Sequence, residues 1–398
     1  MLRTRMREAH TDEGECFIRV RLSHPCAKPP SAVESTMPHR YDHSPFETYS
    51  PREIAMSNTT NRRDFLSAAG VAAASACVSS ALPLAAQEQK QKQLLQAAPK
   101  KEGTVNQNDL AICDTHQHLW DITKFKLPWL KGDAVQKINR SFLMSDYLKL
   151  LGPHKVTKTV YMEVNVDPKQ QTAEAEYVLD LCAKKDNPMC GAIIGGSPQS
   201  AEFAKYMEPF ATNARINGVR TVLHDPDRPK GMCLEKTFVE NVKRLGDMGK
   251  SFDLCMRPEE IGDGAKLGEL CPKTTLVVDH CGNMPVHSED KALRAAWIKG
   301  MTAAAARPNT FCKISGIIVT AKPDAWKTSD LEPNISFCLE TFGIDRCFFG
   351  GDWPVCTLTA PLADWISSLK AIVKHMPLDW QKKLFHDNAV RAYKVAAK

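Results

Sequence analysis

From about residue 108 to the C-terminus, short apolar runs alternate with longer stretches in which apolar residues recur at helical spacing. The runs at 109–115, 156–164, 190–195, 216–223, 251–257, 274–280, 310–316 and 346–351 predict strands. Each is short, apolar and rich in β-branched or aromatic residues, as strands buried on both faces of a parallel sheet tend to be. Between them, Thr172–Lys185, Leu234–Met248, Glu259–Leu270, Asp290–Ala305, Asn334–Phe342 and Ala360–Val373 predict helices. Strand–helix alternation repeated eight times over this length predicts an α/β fold, a single-domain (β/α)8 barrel of the TIM type. An open doubly wound sheet is the alternative. No Gly-x-Gly-x-x-Gly follows the first strand, which argues against dinucleotide binding.

Several of these runs end in residues that carry chemistry. His116 and His118 stand two apart on the first strand, so their side chains share a side and can converge on one ion or one substrate oxygen. His280 ends the sixth run and Asp352 the eighth. In a closed barrel the eighth strand lies beside the first. Closure therefore predicts one cluster of three imidazoles and a carboxylate at the C-terminal mouth, where barrel enzymes keep their sites. The alternative for Asp352 is a turn-capping role. Gly350 and Gly351 before it are read as letting the backbone crowd a ligand. The isolated histidines His154, His287, His375 and His386 read as structural.

Arg220 and Arg257 end apolar strands, where an unpaired charge is costly. They are expected to grip a carboxylate or hydroxyl of a substrate; the alternative is an internal ion pair, for instance with Glu163 or Asp253. Glu163, Asn165 and His224 are placed at the same mouth. Trp120, Trp129 and Trp353 are read as an apolar wall or as core.

Residues 1–55 lack periodicity and read as a disordered or untranslated extension, with Met56 as the start. Residues 56–86 run from Arg62-Arg63-Asp64-Phe65-Leu66 into a small apolar segment, the order of a twin-arginine export signal with cleavage near Ala85–Gln87. Export to the periplasm is the expectation, with a lipid anchor at Cys77 the lesser alternative. Residues 87–107 read as a linker. Eleven cysteines follow the signal; several lie in apolar strands and no Cys-x-x-Cys occurs, so most read as small buried residues, with one disulfide left open. The net charge of +6 comes without a basic block, so a nucleic-acid role is not suggested, and no apolar run reaches the length of a spanning helix.

Six motifs then occur in order over residues 110–395: Asp114-Thr-His-Gln-His-Leu-Trp120, Asn217-Gly-Val-Arg-Thr-Val-Leu-His224, Phe252-Asp-Leu-Cys-Met-Arg257, Val278-Asp-His-Cys-Gly282, Cys312-Lys-Ile-Ser-Gly316 and Phe349-Gly-Gly-Asp-Trp-Pro354. Together they resemble the amidohydrolase superfamily, and within it the amidohydrolase-related lactonases that include L-fuconolactonase and 2-pyrone-4,6-dicarboxylate lactonase. The resemblance implies a distorted barrel, hydrolysis of a cyclic ester, and a site built on His116, His118, His280 and Asp352. Two-metal members add a Lys or Glu on strand four and a His on strand five. Here those strands offer Arg220, His224, Met256 and Arg257, which argues against a bridged two-metal centre. One divalent cation, zinc by the chemistry of its donors, held by His116, His118 and Asp352, or none, are both open.

On this reading Asp352 is the general base for water, and His116, His118 and His280 stabilise the oxyanion. Arg220, Arg257, Glu163, His224 and Trp353 contact a sugar-acid or lactone substrate. A metal-dependent decarboxylase on the same barrel and a non-catalytic sugar-acid binding protein are the alternatives. A homo-oligomer is compatible with the chain.

Overall fold

A computed structural model describes residues 107–397. The extension, the twin-arginine segment and nearly all of the linker lie outside the described residues. Eight strands, β1 (Ile112–Gln117), β2 (Val156–Met162), β3 (Met189–Gly195), β4 (Ile216–Val222), β5 (Ser251–Cys255), β6 (Thr275–Val278), β7 (Thr310–Ile314) and β8 (Cys347–Phe349), pair in chain order. Every pair is parallel. The intervening helices are α1 (Met144–Lys149), α2 (Gln171–Ala183), α3 (Phe203–Met207), α4 (Lys236–Asp247), α5 (Ile261–Leu270), α6 (Lys291–Ala305) and α7 (Thr328–Phe342), followed after β8 by α8 (Leu362–Val373), α9 (Leu378–Lys382) and α10 (Asn388–Tyr393).

Side chains alternate along the strands between two cores, as strand geometry requires. Cys113, Val160, Met162, Ile193, Val277 and Phe348 form one cluster with Tyr393 of α10. Their strand neighbours Ile112, Tyr161, Ile194, Leu276 and Phe349 belong to the larger cluster shared with the helices. The smaller cluster is the barrel interior, and α10 packs into it.

The barrel closes between β8 and β1 with few ladder bonds. Asp352 N–H donates to His116 O at 2.7 Å, and His118 N–H to Trp353 O at 2.8 Å. The Thr115 hydroxyl donates to Phe349 O at 2.6 Å. Asp114, fully buried on β1, supplies the rest. Its Oδ1 accepts from Gly351 N at 2.7 Å and from His116 N at 3.0 Å, and its Oδ2 accepts from the Tyr147 hydroxyl at 2.7 Å. The glycines before Asp352 serve this seam and not a ligand. A Cβ at Gly350 would stand 2.7 Å from His116 Cβ, and one at Gly351 2.4 Å from Asp114 Oδ2.

The structure departs from the sequence reading in a few places. β6 stops at Val278, and His280 and Cys281 follow with φ near 53°. β8 stops at Phe349, ahead of Asp352 at φ 56°. Left-handed residues cannot continue a strand. Helix α7 begins at Thr328, well before the expected Asn334, and carries Pro333 within it. The five- and six-residue helices α1, α3, α9 and α10 went unanticipated, since they are too short to show a period. Among the described residues no two cysteines are joined by a disulfide, and all eleven are buried. No helix among the described residues is long and apolar enough to cross a membrane.

If the Asp114 carboxylate holds the seam, Asp114→Ala strands three buried donors and should lower the unfolding free energy by about 2–4 kcal/mol. Urea denaturation checks this; an unchanged midpoint would show that the seam closes without it.

Candidate active site

Strand β1 delivers both imidazoles to one point. His116 Nε2 lies 3.6 Å and His118 Nε2 3.4 Å from Asp352 Oδ1. His280 joins from the turn after β6, its ring centroid 4.4 Å from that of His116. Gly316 makes room for it: a Cβ there would fall 2.1 Å from His280 Nδ1, and the residue adopts φ +56°. The four side chains that closure was expected to gather are therefore together. A cavity of about 270 Å³ opens above them, walled by His118, His280, Asp352, Arg220, His224 and Trp129 among others.

Hydrogen-bond partners decide which way each ring presents its proton. The His118 ring bonds through Nδ1 to Met162 O at 3.0 Å. A carbonyl only accepts, so Nδ1 carries the proton, and a neutral His118 turns a lone pair on Nε2 toward Asp352. Both His116 nitrogens face a donor, Nε2 the Arg220 Nη1 at 3.1 Å and Nδ1 the Lys313 Nζ at 3.3 Å, and the neutral ring accepts from one of them. Ser315 Oγ accepts from His280 N at 3.3 Å and lies 3.0 Å from His280 Nδ1. With its hydroxyl proton given to Nδ1, His280 carries its own proton on Nε2. His280 is thus able to donate from Nε2 when Ser315 donates to its Nδ1, while the Nδ1 proton of His118 is spent on Met162 O.

A buried charge network underlies these rings. Lys313, fully buried on β7, lies 2.7 Å from Asp253 Oδ2, 3.0 Å from Asp279 Oδ1 and 3.3 Å from His116 Nδ1. Arg220 Nε pairs with Glu163 Oε1 at 2.6 Å, its Nη2 donates to Glu163 O at 2.8 Å, and its Nη1 stands 3.6 Å from Asp279 Oδ2. Burial above all, then the Lys313 cation, holds His116 well below the ordinary histidine range. Burial likewise pushes His280 down to about 4, against the pull of Asp352 and Asp279. Both rings are neutral near pH 7.

The other residues singled out in the sequence scatter. Arg220 lines the cavity, but its nitrogens already serve Glu163 and His116. That is the internal pairing weighed as its alternative. Glu163 is buried beneath it. Arg257 is absent from the cavity wall; its Nη1 donates to Glu260 at 2.6 Å, and its Nη2 to Asp225 O at 2.5 Å and Arg228 O at 3.0 Å. Its internal partner is thus Glu260, not Glu163 or Asp253. Trp353 is fully buried against Phe142 and Tyr147, at ring-centroid distances of 5.3 and 5.4 Å. His224 does line the cavity, with Nδ1 3.3 Å from Cys255 Sγ. Sequence reasoning passed over Lys313, Asp279, Ser315 and Asp225. A lysine inside the apolar run Phe311-Cys-Lys-Ile314 carried the same signal as Arg220 and went unused.

The donors suit a divalent ion in kind: neutral imidazoles and a carboxylate are zinc's usual partners. The compact set is His116, His280 and Asp352, whose ligand atoms lie within 4.8 Å of one another. It has His280 where the sequence reading had His118. An ion held through His116 Nε2 would have to displace the Arg220 guanidinium.

Comparison with known proteins bears on this geometry. An uncharacterised protein of Sinorhizobium fredii is 26% identical over 311 residues, covering 72% of this chain and 100% of its own length. An L-fucono-1,5-lactonase of Burkholderia ambifaria is 25% identical over 290 residues, covering 71% of this chain and 95% of its own. The solved structure of a Burkholderia multivorans amidohydrolase with bound zinc superposes with a TM-score of 0.63 at 21% identity, covering 72% of this chain and all of that one. The amidohydrolase family model matches residues 113–395, and the chain belongs to the amidohydrolase family.

Proposed function

We propose that this amidohydrolase opens a cyclic ester, a sugar lactone or a related ring, by general-base attack of water. The observation that carries the reading is the Asp352 carboxylate on the cavity wall, 3.4 Å from His118 Nε2, with the His280 imidazole on the same wall. Two acceptors that close can share the two hydrogens of one water and leave its oxygen lone pair directed at a carbonyl. The similarity to L-fucono-1,5-lactonases supports the choice of bond.

Asp352 takes the proton as water attacks, and the charge that develops on the carbonyl oxygen meets the His280 Nε2–H. A fixed donor of this type is worth about 3–4 kcal/mol in the transition state. Asp352 then returns its proton to the departing alkoxide, and the ring opens. Were a divalent ion bound by His116, His280 and Asp352, it would supply polarisation of the carbonyl and a more acidic water. On the twin-arginine pattern of residues 56–86 we further propose that the enzyme acts after export to the periplasm.

A panel of aldonolactones, followed by acid release with a pH indicator, with and without chelator, tests the activity. Asp352→Asn should lower kcat/KM by about 10²–10⁴ while the thermal midpoint holds. Near-native turnover in that variant would remove Asp352 from its role. Release of carbon dioxide from an aromatic acid, with no lactone opened, would replace the whole reading.

The lowered His280 value gives a second check. An imidazolium beside Asp352 would compete for the charge the base needs, so the neutral ring is the working form. Its folded value of about 4 lies below the ordinary 6.5, so the neutral ring persists down to that pH. The His280 limb of the kcat/KM profile should therefore fall as pH drops through about 4 and show no step near 6.5. A limb centred near 6.5 that disappears in His280→Asn would contradict it.

A further inference from the structure

The cavity wall contains a polar pair that the hydrolytic chemistry leaves unused. Asn165, in the loop after β2, and Asp225, in the loop after β4, both line the cavity. Asn165 Nδ2 donates to Asp225 Oδ2 at 3.1 Å. Asn165 holds φ 50°, a left-handed conformation uncommon outside glycine, and Glu163 Oε2 clamps its N–H at 2.6 Å. Asp225 is held from the other side: Arg257 donates to its carbonyl and to that of Arg228 while pairing with Glu260. Two loops are thus fixed by residues just past the C-terminal ends of β5 and β2, so that a carboxylate and an amide meet at the wall.

Charge narrows what this pair can bind. The side chains around the cavity with formal charge are Arg220, Asp225 and Asp352. The nitrogens of Arg220 are engaged with Glu163 and His116, and Arg257 is turned to the backbone. A ring bearing carboxylates would meet two carboxylates and no disengaged cation among these residues, a juxtaposition that is disfavoured in a partly dry site. A hydroxyl can donate to Asp225 and accept from the Asn165 amide, satisfying both. The cavity, at about 270 Å³, is small for a ligand pocket and suits a single ring.

We propose that Asp225 and Asn165 are specificity-determining residues that bind neighbouring hydroxyls of an uncharged polyhydroxy lactone and turn away carboxylated ones, with Arg257 as the positioning residue for the Asp225 loop. The proposal rests on the lactone-opening reading above and adds the substrate class.

The test is steady-state kinetics of the full chain, Asp225→Asn and Asn165→Ala, on three probes: a neutral aldonolactone, its analogue lacking hydroxyls, and a lactone bearing a carboxylate. The wild type should favour the neutral polyhydroxy lactone. Both variants should raise KM for it by about tenfold with kcat held within about twofold, and the penalty should shrink on the deoxy probe. Asp225→Asn should narrow the gap to the carboxylated lactone. If the wild type opens lactones but prefers the carboxylated ring, or if the KM penalty is equal with and without hydroxyls, the clamp is overturned and the lactonase reading stands. If the wild type opens none of the three, both fall. Thermal midpoints of the two variants, whose side chains contact each other on separate loops, show whether any loss is one of folding.

Discussion

The site exists because a carboxylate on the first strand accepts an N–H from the turn after the last. Asp114 Oδ1 takes the Gly351 amide across 237 residues of sequence, and the Asp352 amide then reaches His116 O. β1 and β8 share no extended ladder; closure depends on these few bonds and on glycines small enough to let the chains touch. Burial raises the pKa of Asp114, and the Gly351 amide and Tyr147 hydroxyl pull it back down. The same bonds that close the barrel thus keep a charge tolerable inside it, and they set Asp352 beside the imidazoles.

Beneath the site the barrel carries Lys313 and Arg220 against Glu163, Asp253 and Asp279, all of them buried. Pairing at 2.6–3.0 Å offsets a desolvation penalty that would otherwise amount to several kcal/mol per ion. The arrangement has a chemical consequence. Burial above all, joined at His116 by the Lys313 cation, holds both rings neutral, which leaves lone pairs and single N–H groups beside Asp352 instead of imidazolium ions. Stability and reactivity here draw on one network, so a change at Lys313 is felt at His116 without touching substrate.

Much of the fold was legible because each strand is an apolar run long enough to stand out, and barrel closure then placed His116, His118, His280 and Asp352 together without further input. What the runs could not reveal is where they stop. His280, Cys281 and Asp352 adopt left-handed backbone, which depends on tertiary contacts and leaves no pattern in composition. The arginines misled for a related reason. A charged residue at the end of an apolar strand signals that a partner exists, but not whether the partner is substrate or protein. Arg220 met Glu163 and Arg257 met Glu260. The roles of His118 and His116 were hidden too, since a ring's proton is placed by Met162 O or by Arg220 and Lys313, none of which is near it in sequence.

The labour in the barrel divides by strand. The reacting groups stand on β1 and in the turns after β6 and β8, where backbone bonds to neighbouring strands hold them. The candidate recognition pair stands on loops after β2 and β4, tied by Asn165 to Glu163 and by Asp225 to Arg257. Loops tolerate substitution that strands do not, so on the proposed reading a change of substrate would proceed through residues such as Asp225 while His116, His118, His280 and Asp352 stay in place. Arg257 then has a reason to sit where a substrate-binding arginine was expected. On the proposed reading, a disengaged guanidinium at the wall would attract carboxylated rings; turned onto the Asp225 and Arg228 carbonyls, Arg257 instead helps to hold the Asp225 loop at that wall.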